Sequence, residues 1–234
     1  MDVCWLGEVA YTDGLALQQD LHERRASGAV GDTLLQLTHP HVYTVGRRGS
    51  RGDVLWDDAT LRERGVAVVE ADRGGQVTYH GPGQLVGYPI VDIGPQGDLV
   101  RYVRDLEEVL IRALRRYGIE GSRVPGASGV WVGLSKIGAI GVKVSRGITK
   151  HGYALNVSPD LGYFRGIVPC GIVDRGVTSV AELNGDAPGV EVFAQDVASE
   201  FGGVFGCEIR AAEFLARLKQ NLETWDFTNE VAPF

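Results

Sequence analysis

The sequence predicts an α/β (α+β) fold in which helices flank a mixed central sheet. Short runs rich in valine, isoleucine and leucine alternate with segments of helical periodicity, the clearest of which begin near Leu99 and Val190. Apolar residues make up 44% and charged residues 23% of the 234 residues, which is typical of a folded globular protein. A chain of this length can bury a substantial core, as one large domain or two small ones.

The predicted elements follow from periodicity and from the glycines, prolines and capping residues that separate them. In chain order they are a strand over 3–11, a helix over 14–26 capped by Thr12 or Asp13, strands over 33–37 and 42–45, a short helix over 57–64, strands over 66–70 and 85–91, a helix over 99–117, strands over 129–132, 137–144 and 152–157, a helix over 190–205, a short strand over 207–210 and a helix over 211–225.

The helix over 99–117 has the strongest support. Its apolar residues Val103, Leu106, Leu110 and Leu114 recur at helical spacing, and Gly118 follows as the stop signal. This spacing predicts one buried face directed at the sheet.

The chain changes character near Thr178, where short strands give way to helices. We therefore expect a catalytic domain over residues 1–177 and a small C-terminal α/β subdomain over residues 178–234 that packs on it. Nothing between them resembles a flexible linker.

Charge and hydropathy exclude several classes of protein. The net charge of −7 argues against a general nucleic-acid binder, which normally carries a basic excess. The sequence contains no apolar run of membrane-spanning length, and its first residues do not resemble a signal peptide. We expect a monomeric protein of the cytoplasm that binds neither nucleic acid nor membrane.

Neither the cysteines nor the histidines predict a metal site. Cys4, Cys170 and Cys207 are widely spaced and suggest neither a disulfide framework nor a metal-ligand pair, as expected in a reducing compartment. His39 and His41 flank Pro40 and could ligate a metal, but no nearby cysteine or carboxylate completes a site. We interpret them as turn residues.

Basic residues concentrate in a few segments despite the acidic total. If these segments share a face, they form a positive surface suited to an acidic partner; the alternative is a set of solvated loop charges. The residues are Arg47, Arg48, Arg51, Arg73, Lys136, Lys143, Arg146 and Lys150.

The stretch over residues 73–88 is the strongest candidate for a binding segment. Its recurring glycines allow close approach of a ligand to the main chain, and Arg73, Thr78, His80 and Gln84 supply polar groups at intervals. The spacing matches neither the P-loop nor the dinucleotide fingerprint, so a phosphate cradle is only a first hypothesis. A plain connection between two strands is the alternative.

Cys170 and Lys136 are candidates for nucleophilic chemistry as a pair. Cys170 lies between Pro169 and Gly171, where a side chain projects from a turn, and a thiol with an ordinary pKa of about 8.5 needs a cationic or basic neighbour to become a nucleophile. Lys136 and His80 are the candidates for that neighbour. The alternatives are a buried apolar cysteine and a surface lysine.

Four motifs in order make the chain resemble the lipoyl(octanoyl) transferases, relatives of lipoate and biotin protein ligases. The similarity extends over about residues 34–179. The motifs are Arg73-Gly74-Gly75 with Thr78-Tyr79-His80 and Gln84, the segment 136–141, His151-Gly152-Tyr153-Ala154-Leu155-Asn156, and Val168-Pro169-Cys170-Gly171-Ile172.

The resemblance implies a ligase-like α/β catalytic domain and a reaction. Such an acyltransferase moves an octanoyl or lipoyl group from acyl carrier protein to a lysine of a lipoyl domain or of glycine-cleavage H protein, without a cofactor. Cys170 would be the nucleophile and Lys136 its activating partner. The implied substrate-binding residues are Arg73, Gly74, Gly75, Gln76, Val77, Thr78, Tyr79, His80, Ala139, Ile140, Gly141, Gly152, Tyr153 and Ala154.

The residues are consistent with that chemistry. A thioester is already activated, so transfer requires a thiolate, a proton acceptor and donors for the oxyanion, without ATP or metal. We expect apolar residues near Tyr79, Leu85, Ile140 and Tyr153 to line the acyl channel, with His80 shaping the pocket. The rivals are an ATP-dependent lipoate or biotin ligase, which needs no nucleophilic cysteine, and a non-catalytic module that binds an acyl carrier.

Overall fold

The computed structural model describes residues 1–168 and 176–211. Its α-helices are α1 (Tyr11–Ala26), α2 (Asp58–Glu63), α3 (Leu99–Arg115), α4 (Val180–Asn184) and α5 (Val190–Phe205). Its strands are β1 (Asp2–Glu8), β2 (Thr33–Thr38), β3 (Val42–Val45), β4 (Ala67–Glu70), β5 (Val77–His80), β6 (Gln84–Ile90), β7 (Ser122–Val124), β8 (Ala127–Val132), β9 (Ser135–Ser145), β10 (Ile148–Asn156) and β11 (Arg210–Ala211).

A mixed eight-stranded sheet forms the centre of the molecule. Its strand order is β11-β1-β2-β6-β10-β9-β8-β7, with β1 parallel to both β2 and β11 and the remaining neighbours antiparallel. The long hairpin of β9 and β10 pairs continuously from Ser145 with Ile148 to Gly138 with Leu155. This hairpin lies between β6 and β8 in the sheet.

Helices cover both faces of the large sheet. On one face, α3 and α5 pack over Leu85, Tyr153 and Leu155 in one core cluster. On the other face, α1 packs over Val86 and other apolar side chains of the neighbouring strands. Because successive side chains of a strand point to opposite faces, Leu85 and Val86 contribute to different cores.

A second sheet has the order β4-β3-β5 and its own core. Tyr43, Tyr79 and Leu61 are buried there, together with Ile167 from the segment that follows β10. Strand β3 is parallel to β4 and antiparallel to β5. The small sheet thus carries the glycine-rich stretch at 73–76 on the connection between β4 and β5.

Most predicted elements are confirmed, and α5 has the predicted bounds. The N-terminal prediction was wrong in detail. Strand β1 ends at Glu8 and α1 already begins at Tyr11, with Ala10 at the N-cap position and no side-chain capping bond. Thr12 and Asp13 therefore lie inside the helix instead of capping it. Residues 73–88 include β5 and most of β6, so this stretch is a loop only in part.

The described part of the predicted C-terminal subdomain shares the core of the large sheet. Val180, Phe193 and Phe201 lie in the same cluster as α3 residues, and β11 extends the large sheet beside β1. The predicted helix over 211–225 falls largely outside the described residues. The division at residue 177 stays a prediction.

Candidate active site

A cavity of about 400 Å³ lies between the glycine-rich stretch and one face of the large sheet. Side chains or main chain from β5, β6, β9 and β10 border it. The lining residues include Tyr11, Arg48, Arg73, Gly74, Gly75, Gln76, Val77, Thr78, His80, Gln84, Val86, Tyr88, Trp131, Lys136, Ala139, Ile140, Gly141, His151, Gly152, Tyr153, Ala154, Asn156, Phe164, Ile167, Gly176 and Val177.

Small residues form the floor of the cavity. In the β9–β10 hairpin, Gly141 pairs with Gly152 and Ala139 pairs with Ala154, so all four lie on the same face. Ala154 also belongs to the core cluster on the α1 side of the sheet. Small side chains at four adjacent positions leave room for a ligand lying along the hairpin.

The glycine-rich stretch is held close against this floor. The Gly74 N–H donates to the Val142 carbonyl at 3.0 Å. A Cβ added at Gly141 would come within 3.0 Å of the Gly74 carbonyl oxygen, a tight contact. Glycine at position 141 therefore permits the close approach of the two segments.

Arg73 is buried and contacts the small sheet. Its Nη2 donates to the Thr44 carbonyl at 2.6 Å and to the Thr44 hydroxyl at 2.8 Å, and its Nη1 donates to the Gly74 carbonyl at 3.0 Å. A Cβ at Gly46 would lie 2.6 Å from Nη1. Among its described contacts, Arg73 acts as an internal brace of the loop that forms the cavity wall.

Arg47 and Arg48 occupy a tight turn at the cavity rim. Their main-chain N–H groups donate to the carbonyls of Arg73 and Gly75, at 3.1 and 3.0 Å. Both side chains are exposed, and Arg48 borders the cavity. Within residues 1–168 and 176–211, neither side chain has a carboxylate at ion-pair distance.

Several other residues of the predicted basic surface make internal contacts. Arg51 pairs with Asp58 at 2.8 Å, and Arg146 contacts His22 Nδ1 at 3.3 Å. Lys143 and Lys150 both face the Asp72 carboxylate. The exposed basic character near the cavity therefore resides mainly in Arg47 and Arg48.

A buried hydrogen-bond network joins His80 to the strand of Lys136. Gln84 and Asn156 are directly paired between β6 and β10, and the Gln84 Nε2 donates to the Asn156 Oδ1 at 2.9 Å. The Asn156 Nδ2 donates to the Thr178 carbonyl at 3.0 Å, and the Thr178 N–H donates to the Lys136 carbonyl at 3.0 Å. At the other end, His80 Nδ1 lies 2.8 Å from Gln84 Oε1.

Aromatic and imidazole rings form one wall. His80 stacks on Tyr11 and meets His39 edge to face. Burial lowers the pKa of His39 to about 4, despite its contact with the Val9 carbonyl, and burial raises the pKa of Tyr11 to about 12. Burial likewise keeps the pKa of His80 well below its ordinary value. This wall is polar yet uncharged at neutral pH.

His151 is hydrogen-bonded to Asp72 next to the floor. Its Nε2 lies 2.6 Å from Asp72 Oδ1, and its backbone has a left-handed φ of 57°. The hydrogen bond from His151, followed by the contact with Lys143, lowers the pKa of Asp72, whereas burial lowers the pKa of His151. Because a non-glycine residue at positive φ is strained, the surrounding contacts must hold His151 in place.

Lys136 lies at the start of β9 and borders the cavity. Its Nζ lies 4.7 Å from the centroid of the Trp131 ring, and its main-chain N–H donates to the Gly176 carbonyl at 2.9 Å. Lys136 also forms a parallel bridge with Val177. Cys170 lies outside the described residues, but Ile167 and Val177, on either side of its segment, both line the cavity.

The structure brings together most of the predicted binding residues. Tyr79 does not line the cavity: it packs on Tyr163 and Phe164, and its hydroxyl lies 2.9 Å from His41 Nδ1. Tyr153 borders the cavity, but its ring lies over Gly87 in the core of the opposite face, where its hydroxyl accepts from Gln36. Leu85 and Ile140 belong to or pack against that same core.

Sequence reasoning missed Tyr11, Asp72, Tyr88 and Trp131. Asp72 could have been suspected because it directly precedes the glycine-rich stretch. Tyr88 could have been suspected from two-residue alternation with Gln84 on β6. Trp131 is paired with Lys136 across the β8–β9 hairpin, so the short turn between the two strands was a local signal for it. Tyr11 reaches the cavity through tertiary packing, for which the sequence gives no local signal.

Within residues 1–168 and 176–211, no helix is long and apolar enough to cross a membrane. Over the same ranges, no group of three or more histidine, cysteine, aspartate or glutamate side chains is arranged to hold a metal ion.

Lipoate and biotin protein ligases of known structure share this fold. Solved structures with this fold include a putative lipoate protein ligase from T. acidophilum with bound lipoic acid, with a TM-score of 0.71 at 16% identity over 96% of this chain and 95% of that one. A lipoate-protein ligase A bound with ATP gives a TM-score of 0.73 at 16% identity over 98% and 97%. The biotin protein ligase from Aquifex aeolicus gives 0.51 at 14% identity over 94% and 71%.

The chain belongs to the lipoyl protein ligase A/B catalytic domain family, which it matches over residues 10–202. An octanoyltransferase from Chloroflexus aurantiacus is 51% identical over 214 residues, covering 90% of this chain and 96% of that protein. An octanoyltransferase from Acidobacterium capsulatum is 48% identical over 240 residues, covering 96% and 98%. The predicted family and fold class are confirmed, and the protein is an acyltransferase of the octanoyl or lipoyl type.

Proposed function

We propose that the enzyme carries an octanoyl or lipoyl group from acyl carrier protein to a lysine of a lipoyl domain or H protein through a thioester on Cys170. The observation that carries this proposal is the shared cavity. Lys136 lines it, and so do Ile167 and Val177, the described residues on either side of the segment that contains Cys170. Lys136 and the described flanks of that segment thus border one cavity, which supports assigning Lys136 and Cys170 to the same reaction.

In the first step, the Cys170 thiol gives its proton to the neutral amine of Lys136. The thiolate attacks the carbonyl carbon of the carrier thioester, a new carbon–sulfur bond forms, and the carrier sulfur leaves with the proton held by Lys136. No ATP is needed because the acyl group arrives activated. Lys136 ends this step as a neutral amine.

In the second step, the amine of the acceptor lysine attacks the acyl-enzyme. The carbon–nitrogen bond forms, the bond to Cys170 breaks, and Lys136 takes the surplus proton from nitrogen and returns it to the sulfur. The product is an amide, and the enzyme regains its thiol. Lys136 thus serves both half-reactions.

The floor of small residues suits the acyl chain. Ala139, Gly141, Gly152 and Ala154 present little side-chain volume, so an uncharged chain can lie along the hairpin. Burying each methylene contributes about 0.8 kcal/mol, which allows selection by length. The solved lipoate ligase with lipoic acid supports a binding space of this kind, by analogy of fold.

The nearest rival is an ATP-dependent ligase, and one assay separates the two. Wild-type enzyme, octanoyl acyl carrier protein and a lipoyl domain are mixed without ATP, and modification of the domain is followed by mass. We expect complete modification without ATP and a large loss of rate in Lys136→Ala, in both half-reactions. An absolute requirement for ATP with free octanoate as donor would point to the ligase instead.

The expected absence of a cofactor, the monomeric state and the cytoplasmic location remain predictions. The other rival is a non-catalytic carrier-binding module, which would leave the carrier thioester intact in the same assay. Cleavage of the thioester therefore decides between enzyme and module in a single reaction.

A further inference from the structure

The hydrogen-bond network beside the cavity determines which ring nitrogen of His80 carries a proton. Its far end is the Thr178 main-chain carbonyl, which can only accept, so the Asn156 group that faces it must be the NH₂. The Asn156 Oδ1 must then accept from Gln84, whose Nε2 also donates to the Tyr79 carbonyl at 3.2 Å. Two main-chain carbonyls thus orient both amides without ambiguity.

With Gln84 oriented in this way, its Oε1 faces His80. An amide oxygen only accepts, so His80 Nδ1, 2.8 Å away, must carry the proton. In a neutral imidazole the other nitrogen, Nε2, then has a free lone pair. Burial favours the neutral form, because His80 is only 6% exposed.

The remaining contacts hold the ring in place and leave Nε2 available to a ligand. Tyr11 stacks on one side with a centroid distance of 6.0 Å, and His39 meets the ring at 5.7 Å. His80 lines the cavity, and no residue in 1–168 or 176–211 makes a hydrogen bond to its Nε2. The cavity therefore contains a fixed acceptor with no donor from the described chain.

We propose that His80 Nε2 binds the incoming nucleophile, accepting a hydrogen bond from the amine of the acceptor lysine and directing the nitrogen lone pair at the acyl carbonyl carbon. This inference rests on the proposed two-step function. The octanoyl chain has no N–H or O–H, so it cannot satisfy this acceptor. Of the proposed substrates' reacting groups, the amine of the second step is the donor that fits.

Position supports the same role. Four hydrogen bonds in sequence connect His80 to the main chain of Lys136, through Gln84, Asn156 and Thr178. His80 and Lys136 thus hold a fixed relation at the same cavity. His80 would orient the amine, while Lys136 accepts the proton released when the carbon–nitrogen bond forms.

Two substitutions separate the two edges of the ring. In His80→Asn, the side-chain NH₂ can replace Nδ1–H as the donor to Gln84, but the Nε2 acceptor is lost. In His80→Gln, the longer side chain can place an amide oxygen near the former Nε2. The two half-reactions are measured separately: loading from octanoyl acyl carrier protein, and single-turnover transfer from preloaded enzyme to a lipoyl domain, both by intact mass.

We expect His80→Asn to slow transfer at least about tenfold, the effect of losing one hydrogen bond of about 1.4 kcal/mol, while loading changes far less. His80→Gln should recover part of the transfer rate. Equal losses in both half-reactions, or wild-type transfer in His80→Asn, would overturn the proposal. Absence of acyl-enzyme on the wild-type protein would instead overturn the proposed function itself.

A spectroscopic test is independent of any variant's folding. In wild-type protein labelled with ¹⁵N in histidine, the ring signals of His80 distinguish the protonated from the unprotonated nitrogen. We expect a proton on Nδ1 and none on Nε2, with the Nε2 signal shifting when an unreactive lipoyl domain analogue binds. A proton on Nε2 would contradict the inference directly.

Discussion

Enlarging Ala139 should shorten the acyl chain that the enzyme prefers. Ala139 faces the cavity opposite Ala154, at the middle of the floor formed by β9 and β10. A leucine at this position adds three carbon atoms to the floor, and we take it to exclude about two methylenes of the substrate. At about 0.8 kcal/mol for each methylene, the loss is about 1.6 kcal/mol.

That energy corresponds to a roughly 15-fold decrease in the preference for octanoyl over hexanoyl donors. The assay measures acyl-enzyme formation from equimolar hexanoyl, octanoyl and decanoyl carrier proteins in competition, with the ratio of adducts read by mass. The series Ala139→Gly, Ala139→Val and Ala139→Leu should change the ratio progressively. Thermal unfolding of each variant checks that the fold is retained.

A uniform loss of activity on all three donors in Ala139→Leu would show only damage to the sheet. An unchanged ratio in a folded and active variant would refute the reasoning, because the acyl chain would then lie elsewhere in the cavity. The graded series separates these outcomes, since hexanoyl loading should survive in every member.

Two further predictions concern charged groups. The double variant Arg47→Glu with Arg48→Glu should raise KM for the acidic carrier protein, more at low than at high salt. The control variant Arg101→Glu, on the opposite face of the sheet, should have no such effect. A salt-independent KM in the double variant would make the rim arginines solvated loop charges. Asp72 has a lowered pKa in the folded state, so it stabilises the fold above its unfolded pKa of about 3.9, and this stability is lost as the pH falls. Asp72→Asn should therefore lower the free energy of unfolding by about 1 kcal/mol at pH 7 after solvent screening. Below pH 4, chemical denaturation should show a smaller difference in this free energy between the variant and the wild type. An equal difference at both pH values would contradict the ion-pair account.

The large elements were predictable because their signals are local. Helix α3 shows helical spacing of apolar residues and an aspartate cap, Asp98, which accepts from the Arg101 N–H. Helix α1 shows why boundaries are harder to predict. Its first turn has attractive capping candidates in Thr12 and Asp13, yet tertiary packing of Tyr11 begins the helix earlier.

The direction of individual side chains was only partly predictable. Strand β5 alternates, so Thr78 and His80 face the cavity while Tyr79 faces the core of the small sheet. The same alternation sends Tyr153 to the face opposite Ala154. The two-residue period of a strand, applied to residues 77–80, would have assigned Thr78 and His80 to one face and Tyr79 to the other. The prediction of a loop for this stretch left that alternation out.

The network behind His80 could not be predicted from the sequence. It depends on the register that places Gln84 opposite Asn156, and on the packing that brings Thr178 to Asn156. His80 and Thr178 are far apart along the chain and carry no mutual signal in a single sequence. Only the fold shows that Gln84 and Asn156 orient one ring.

The central claim is acyl transfer through Cys170, and intact mass tests it most directly. Wild-type enzyme is mixed with octanoyl acyl carrier protein without ATP or acceptor, alongside Cys170→Ser and the matched variant Cys207→Ser. We predict one octanoyl increment on the wild type and on Cys207→Ser, and none on Cys170→Ser. An unmodified wild-type enzyme that still modifies a lipoyl domain would contradict the covalent mechanism.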